Sequence, residues 1–230
     1  SIGMARLVEG GLAVDEAIVC EPTDLAIMPA HKGFVWVEAR FRGRAAHGSR
    51  PDQGVDAIRH AAAWLASLDE LDEQLAAAAP QPLLGHGSVH AGTIEGGSAA
   101  SVYPEHCRVV IERRTLPGEG ETQVMDELHA LTSRLRSMIP ELDVELRPIM
   151  TRPGTEVDAA HRLVGQLQES SRALGHVAEL RPMTAWVDAA FLNEVGVPAV
   201  CFGPGSIAQA HAADEWVELE QVERCAAILE

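Results

Sequence analysis

The order of apolar patterns along this chain predicts an α/β protein in which a small ferredoxin-like unit interrupts a larger helix-and-strand layer. Three observations carry that expectation. Stretches with strand spacing alternate with stretches of helix spacing, as layered α/β folds require. Between about residues 32 and 150 they follow the order β-α-β-β-α-β, that of the split βαβ unit. Strand-helix material then lies on both sides of this unit, so residues 1–31 and 151–230 are expected to form one domain and residues 32–150 the inserted one.

Taken in order, Ile2 to Glu9 puts Met4, Leu7 and Val8 on one helical face before Gly10-Gly11 stops the helix. Glu16 to Cys20 reads as a short buried strand, with Glu21-Pro22-Thr23 where it ends. Phe34, Val35, Trp36, Val37, Ala39 and Phe41 mark a strand over 32–41, and Gly43 to Gly54 is a polar loop. Helical spacing returns over 56–79 through Ile58, Ala62, Leu65 and Leu68. Strands are expected at 88–94 and 106–114, separated by the small-residue loop Glu95-Gly-Gly-Ser-Ala-Ala-Ser101. Leu128, Leu131 and Leu135 place a helix over 124–138, and 142–149 alternates as a strand. Helices over 158–174 and 187–195 and strands over 178–181 and 197–202 complete the pattern.

Composition narrows the function class. The chain has 230 residues, 47% of them hydrophobic, with 18 Lys and Arg against 34 Asp and Glu for a formal charge of −16. That field repels phosphate backbones and anionic headgroups, which argues against nucleic-acid and membrane partners. Cys20, Cys107, Cys201 and Cys225 lie far apart among apolar residues and read as reduced core thiols. No apolar run approaches a membrane span and no signal peptide precedes the first strand, so a cytoplasmic setting is the expectation. The chain opens at Ser1 already in helical register, which places its first residues mid-fold in an expected longer parent.

Four side chains stand out as carriers of chemistry. Glu21 follows an apolar strand, the place where open α/β sheets keep their sites, although a surface acid would look the same. His211, in Ala210-His-Ala-Ala-Asp-Glu215 after the 197–202 strand, has the setting of a zinc ligand oriented by a carboxylate, or of a solvated cap. His47 sits in the loop Arg44 to Pro51, where an exposed imidazole is the commoner case, and Arg114 ends a strand beside Arg113, the two expected to face opposite ways. Nucleophile elbow, phosphate-binding loop, dinucleotide fingerprint and H-E-x-x-H are all absent from the sequence.

In sequence order, further motifs join these. They are Ala17-Ile-Val-Cys-Glu-Pro-Thr23, His31-Lys-Gly33, Gly43-Arg-Ala-Ala-His-Gly-Ser-Arg-Pro51, Gly96-Gly97 with Val102-Tyr-Pro104, Arg113-Arg-Thr-Leu-Pro-Gly-Glu119, Asp188-Ala189, and Phe202-Gly-Pro-Gly205 with the His211 run. Together they resemble the metal-dependent amidohydrolases and peptidases of the M20 type: aminoacylase, acetylornithine deacetylase, succinyl-diaminopimelate desuccinylase and glutamate carboxypeptidase. The resemblance covers essentially the whole chain. It implies a partial zinc-peptidase catalytic domain at 1–31 and 151–230 carrying an inserted lid and dimerisation domain at 32–150.

The resemblance further implies two zinc ions, with cobalt or manganese as alternatives, held by a bridging aspartate and four other ligands beside a glutamate general base. Glu21 would bind one ion and His211 the other, His47 would donate to the developing oxyanion, commonly in a partner subunit, and Arg114 would hold a substrate carboxylate. Ser101 stands where the family usually has a substrate-binding asparagine, a shorter group there. The remaining metal ligands would lie upstream of Ser1, so the chain alone is expected to be inactive. The leading expectation is hydrolysis of an N-acyl amino acid such as N-acetylornithine or N-succinyl-diaminopimelate by a homodimer joined through the lid. Alternatives are a di- or carboxypeptidase acting on short peptides, and a non-catalytic dimerisation or binding subunit.

Overall fold

The computed structural model describes residues 2–230, and the fold is α/β. In chain order the elements are α1 (Ile2–Glu9), β1 (Ala17–Val19), β2 (Ala30–His31), β3 (Gly33–Arg42), α2 (Ala57–Ala77), β4 (Ser88–Gly96), β5 (His106–Thr115), α3 (Glu121–Met138), β6 (Asp143–Arg152), β7 (Thr155–Glu156), α4 (Arg162–Ala173), α5 (Ala189–Glu194), β8 (Ala199–Cys201) and α6 (Leu219–Leu229), with a 3-10 turn at Ile207–Gln209. They form two compact units. One comprises the chain up to Lys32 with Pro82–Leu84 and Gly154–Glu230, the other Gly33–Gln81 with Gly85–Pro153.

The second unit realises the β-α-β-β-α-β order as a four-stranded sheet, β4-β5-β3-β6, in which every neighbouring pair is antiparallel. Period-two alternation sends Val35, Val37, Ala39 and Phe41 of β3 and Cys107, Val109 and Ile111 of β5 to the covered face. Helical spacing brings Ala57, Ala61, Trp64, Leu68 and Leu71 of α2 and Val124, Leu128, Leu131 and Leu135 of α3 onto them as one core. At its centre Trp64 meets Phe41 edge-on at 5.8 Å and donates its indole N–H to Thr132 at 3.0 Å, so the one polar atom of a fully buried ring is satisfied. Asp56 caps α2 by accepting the Arg59 amide at 2.9 Å. Pro148, which has no N–H to give a ladder, lies on the edge strand β6 beside the bulge that Ile149 makes opposite Trp36 and Val37.

The first unit rests on β1 and β8, which pair in parallel with Ala17, Ile18 and Val19 opposite Ala199, Val200 and Cys201. Alternate residues feed two cores. Ile18, Val200 and Phe202 pack with Val164 and Leu167 of α4 and Cys225 and Ile228 of α6, whereas Ala17, Val19, Ala199 and Cys201 pack with Met4 and Val8 of α1 and Ala189 and Leu192 of α5. Helices thus cover both faces, the usual condition for parallel strands. A second pair, β2 against β7, is antiparallel and is pinned by a polar chain. Asn193 binds both backbone groups of Ala199 and donates to Thr155 Oγ1 at 3.0 Å, and Thr155 is 3.0 Å from His31 Nε2.

Several local expectations are corrected. The strand expected over 178–181 is reduced to a single parallel bridge between Ile27 and Leu180, because Pro29, next in register after Ile27, has no N–H with which to continue the ladder. The helix expected from 158 starts at Arg162, since Asp158 takes the Ala160 amide at 2.8 Å in a turn and His161 caps the helix. The short pair β2–β7 and the helix α6 carried no sequence expectation. Cys20 is exposed rather than in a core, while Cys107, Cys201 and Cys225 are buried and all four thiols are free.

Candidate active-site loops

Parallel pairing of β1 with β8 places the loops that follow them side by side. Glu21 leaves the end of β1, and the loop from Gly203 runs against it so closely that a Cβ on Gly203 would meet the Glu21 carbonyl at 2.5 Å. Only glycine fits there. Buried Thr23 ties the loops together: its hydroxyl donates to the Ala26 carbonyl at 2.7 Å and accepts the Gly203 amide at 3.0 Å, and its backbone bridges Ser206. The Asp24 amide donates to the Gly205 carbonyl at 2.7 Å and the Leu25 amide to Gly203 at 3.0 Å.

These loops hold backbone strain. Among the described residues the non-glycine positions with positive φ are Asp24 (54°), Leu25 (58°) and His211 (66°). Each such residue costs on the order of 1–3 kcal/mol and persists only where its surroundings over-determine it, as functional loops do. At Leu25 the carbonyl accepts from His176 Nε2 at 3.0 Å, and at His211 the amide donates to Glu215 Oε2 at 3.1 Å, leaving the imidazole on an exposed residue.

The partly buried Glu21 carboxyl is pushed above the usual carboxylate range, first by burial and then by the negative charge of Asp188 at the start of α5. Burial raises the Cys201 thiol to about 12, with the Glu21 charge the next cause. Two carboxylates thus stand near the end of a buried parallel strand. Asp188 was given no role from the sequence, although Asp188-Ala189 was among the motifs that carry the resemblance. Among the described residues no group of three or more His, Cys, Asp and Glu side chains gathers into a metal-binding cluster.

In the other unit the structure brings His47 and Ser101 onto facing backbone segments. His47 bridges Val102, the Gly48 amide donates to the Ser101 carbonyl at 2.7 Å, and the Tyr103 amide donates to Ala46 at 2.8 Å. Both residues are exposed. The Ser49 amide donates to His47 Nδ1 at 3.2 Å, so in the neutral ring Nδ1 is an acceptor and the proton sits on Nε2. His47 therefore presents an N–H outward.

Arg113 and Arg114 face opposite ways. Arg113 is fully buried and pairs with Glu119 and Glu127, each at 3.1 Å. Arg114 lies on the face not covered by helices, with its guanidinium 5.7 Å from the centre of the Phe34 ring and 3.7 Å from Glu112. Burial lowers the Arg114 pKa and the Glu112 charge opposes that shift.

The chain is similar to known proteins along nearly all of its length. Residues 29–136 match the peptidase dimerisation domain. The chain is 34% identical over 233 residues to an acetylornithine deacetylase of Myxococcus xanthus, covering 99% of this chain and 59% of that protein. It is 30% identical to the acetylornithine deacetylase of Proteus mirabilis, covering 97% of this chain and 57% of the relative. In fold it is similar to a tripeptidase from Staphylococcus aureus, with a TM-score of 0.77 at 21% identity over 99% of this chain and 58% of that one. The aminopeptidase PepT from Bacillus cereus has a TM-score of 0.78 at 21% identity, over 99% of this chain and 59% of that one. No helix among the described residues is long and apolar enough to cross a membrane. The chain spans somewhat more than half the length of these relatives, and the likeness runs along nearly all of it, with a peptidase dimerisation domain at 29–136.

Proposed function

We propose that the chain carries part of the active site of a zinc-dependent amide hydrolase that acts on N-acyl amino acids, with N-acetylornithine and N-succinyl-diaminopimelate as the leading substrates. The observation that carries this reading is the strained pair of loops after β1 and β8, which presents the charge-burdened Glu21 beside the loop leading to His211. The likeness to acetylornithine deacetylases supports the substrate class.

Carboxylate and imidazole are donors that zinc accepts, and the raised Glu21 pKa marks a position where a cation offsets local charge. Glu21 and His211 would each hold one ion, and residues outside this chain would complete both sites. Bound zinc supplies a polarised water near neutral pH. The chain's own groups do the rest. Arg114 holds the substrate carboxylate by a charge-assisted contact, the Nε2–H of His47 donates to the oxygen on which charge develops, and the Ser101 hydroxyl lies on the segment facing His47. Dimerisation would use the exposed edge strand β4 and the outer face of α2, bringing His47 to a partner's site. We place the protein in the cytoplasm, where its four free thiols remain reduced.

The test is a zinc-supplemented assay of a protein carrying these residues together with the missing ligands, on N-acetylornithine, N-succinyl-diaminopimelate and unacylated dipeptides. Preferential release of acetate or succinate is expected, and turnover of dipeptides alone would move the reading to a peptidase. The isolated chain should show no turnover and lose zinc on dialysis; stoichiometric retention would show that its ligands have been misplaced.

A further inference from the structure

A cavity in the β3–β6 unit carries none of the site residues assigned above. Its volume is about 450 Å³, within the roughly 300–1,000 Å³ of small-molecule sites, and it opens between the first turns of α2 and the chain that leaves α3. Part of its wall is held in place by backbone. The Tyr103 amide donates to the Ala46 carbonyl at 2.8 Å, and the Tyr103 ring lies flush on Gly54, where any Cβ would run into it.

Charges of both signs line this space. Arg59 and Glu141 share the wall, yet neither side chain has an ion pair or hydrogen bond among the described residues. Other exposed opposite charges of the unit do close on each other, Arg50 with Asp52 at 3.1 Å and Arg134 with Glu70 at 2.9 Å. Asp56 adds a second negative charge, one of its oxygens accepting the Arg59 amide at 2.9 Å. His60 Nδ1 is enclosed and has no partner, so a ligand would engage that ring through Nε2. Val55, Ala63 and Ile139 supply an apolar stretch of the wall.

We propose that this cavity binds a free α-amino acid with an apolar side chain, taken as its zwitterion. The carboxylate is held by Arg59 in a charge-assisted contact, with the Tyr103 hydroxyl and His60 as further donors. Glu141 and Asp56 take the ammonium, and the side chain rests on Val55, Ala63 and Ile139. A simple anion would face two carboxylates, and a simple cation would face Arg59. A zwitterion meets both signs at once.

Binding here needs no metal, so the full chain is used as it stands. Tyr103 is its one tyrosine, and a ring-labelled tyrosine therefore gives a single NMR signal from this wall. L-leucine should move that signal saturably, with a Kd at or below about 1 mM. N-acetyl-L-leucine lacks the ammonium and L-leucinamide lacks the carboxylate; each should bind about tenfold more weakly. Arg59→Gln and Glu141→Gln, both at exposed positions, should each weaken L-leucine about tenfold. A Tyr103 signal that L-leucine does not move overturns the proposal. So does N-acetyl-L-leucine binding as tightly as L-leucine, which would make this an anion site. Binding of L-leucine that survives Arg59→Gln and Glu141→Gln but is lost in Arg114→Gln would place the ligand at the proposed substrate arginine, and overturns it as well.

Discussion

The buried charges of one unit and the loop carboxyl of the other are treated differently. In the β3–β6 unit, buried charges are closed into pairs: Arg113 with Glu119 and Glu127, and Glu38 with Arg40 and Arg108. Its central indole is matched by Thr132, and one core fills the space between sheet and helices. In the unit built on β1 and β8, the carboxyl of Glu21 is left raised by burial and by a like charge, and all three positive-φ non-glycine residues among those described lie in the loops after the two strands. Compensation of this kind favours stability, whereas a carboxyl with a raised pKa and backbone strain at strand ends cluster more often at functional positions. The comparison teaches that the same chain can separate a well-paired scaffold from a strained, charge-bearing strand end.

The comparison is tested most severely at Trp64. Replacing it with alanine removes the largest buried side chain of the β3–β6 core and leaves the Thr132 hydroxyl without its donor, at an expected cost of about 3–5 kcal/mol. Hydrogen exchange should show the loss in amides of β3 and β5. Uniform protection in wild type and variant would mean that this core does not carry the unit.

Next in size is His47, the residue through which the scaffold unit would join the chemistry. In the complete enzyme His47→Ala should lower kcat by about 10²–10³ with little change in KM. Mixing this variant with a His211→Ala protein should restore activity if His47 acts across a dimer, because one site of the mixed dimer then carries neither lesion. Heterodimers that form and stay inactive would place His47 in its own subunit's site or outside the mechanism.

The smallest effect concerns Glu38. Its pKa lies below the ordinary carboxylate value of 4.5, chiefly through the Arg108 hydrogen bond, with burial opposing and Arg40 adding to the lowering. A carboxyl depressed in the folded state contributes stability that is fully present above its unfolded pKa and is lost as pH falls through its folded one. Thermal midpoints should therefore drop on acidification below about pH 4.5, and Glu38→Gln should flatten that slope. An unchanged slope would show that the Glu38 pair does not govern acid stability.

Much of this architecture was legible in the sequence because it follows from periodicity. Helix spacing marked α2 and α3, period-two alternation marked β3 and β5, and the same alternation required Arg113 and Arg114 to diverge. The elements that escaped have weak local patterns. β2 and β7 are two residues each and exist through pairing across more than a hundred residues of chain, as the register His31 to Thr155 shows. The strand pattern at 178–181 was present, but the missing N–H of Pro29 on the facing segment limited it to a bridge.

The sequence by itself determined which residue types stand at strand ends and in what order: Glu21 after β1, His211 after β8, His47 in the loop after β3 and Arg114 near the end of β5. Order and spacing are covalent facts, and motifs are made of them. Only the tertiary structure decided what surrounds each group. It set Asp188 where its charge raises Glu21, brought Ser101 to face His47, exposed Cys20, and set Glu112 between Trp36 and Arg114. Shifted pKa values and cross-strand pairings depend on burial and on groups a few ångströms away, and those neighbours are supplied by segments remote in sequence.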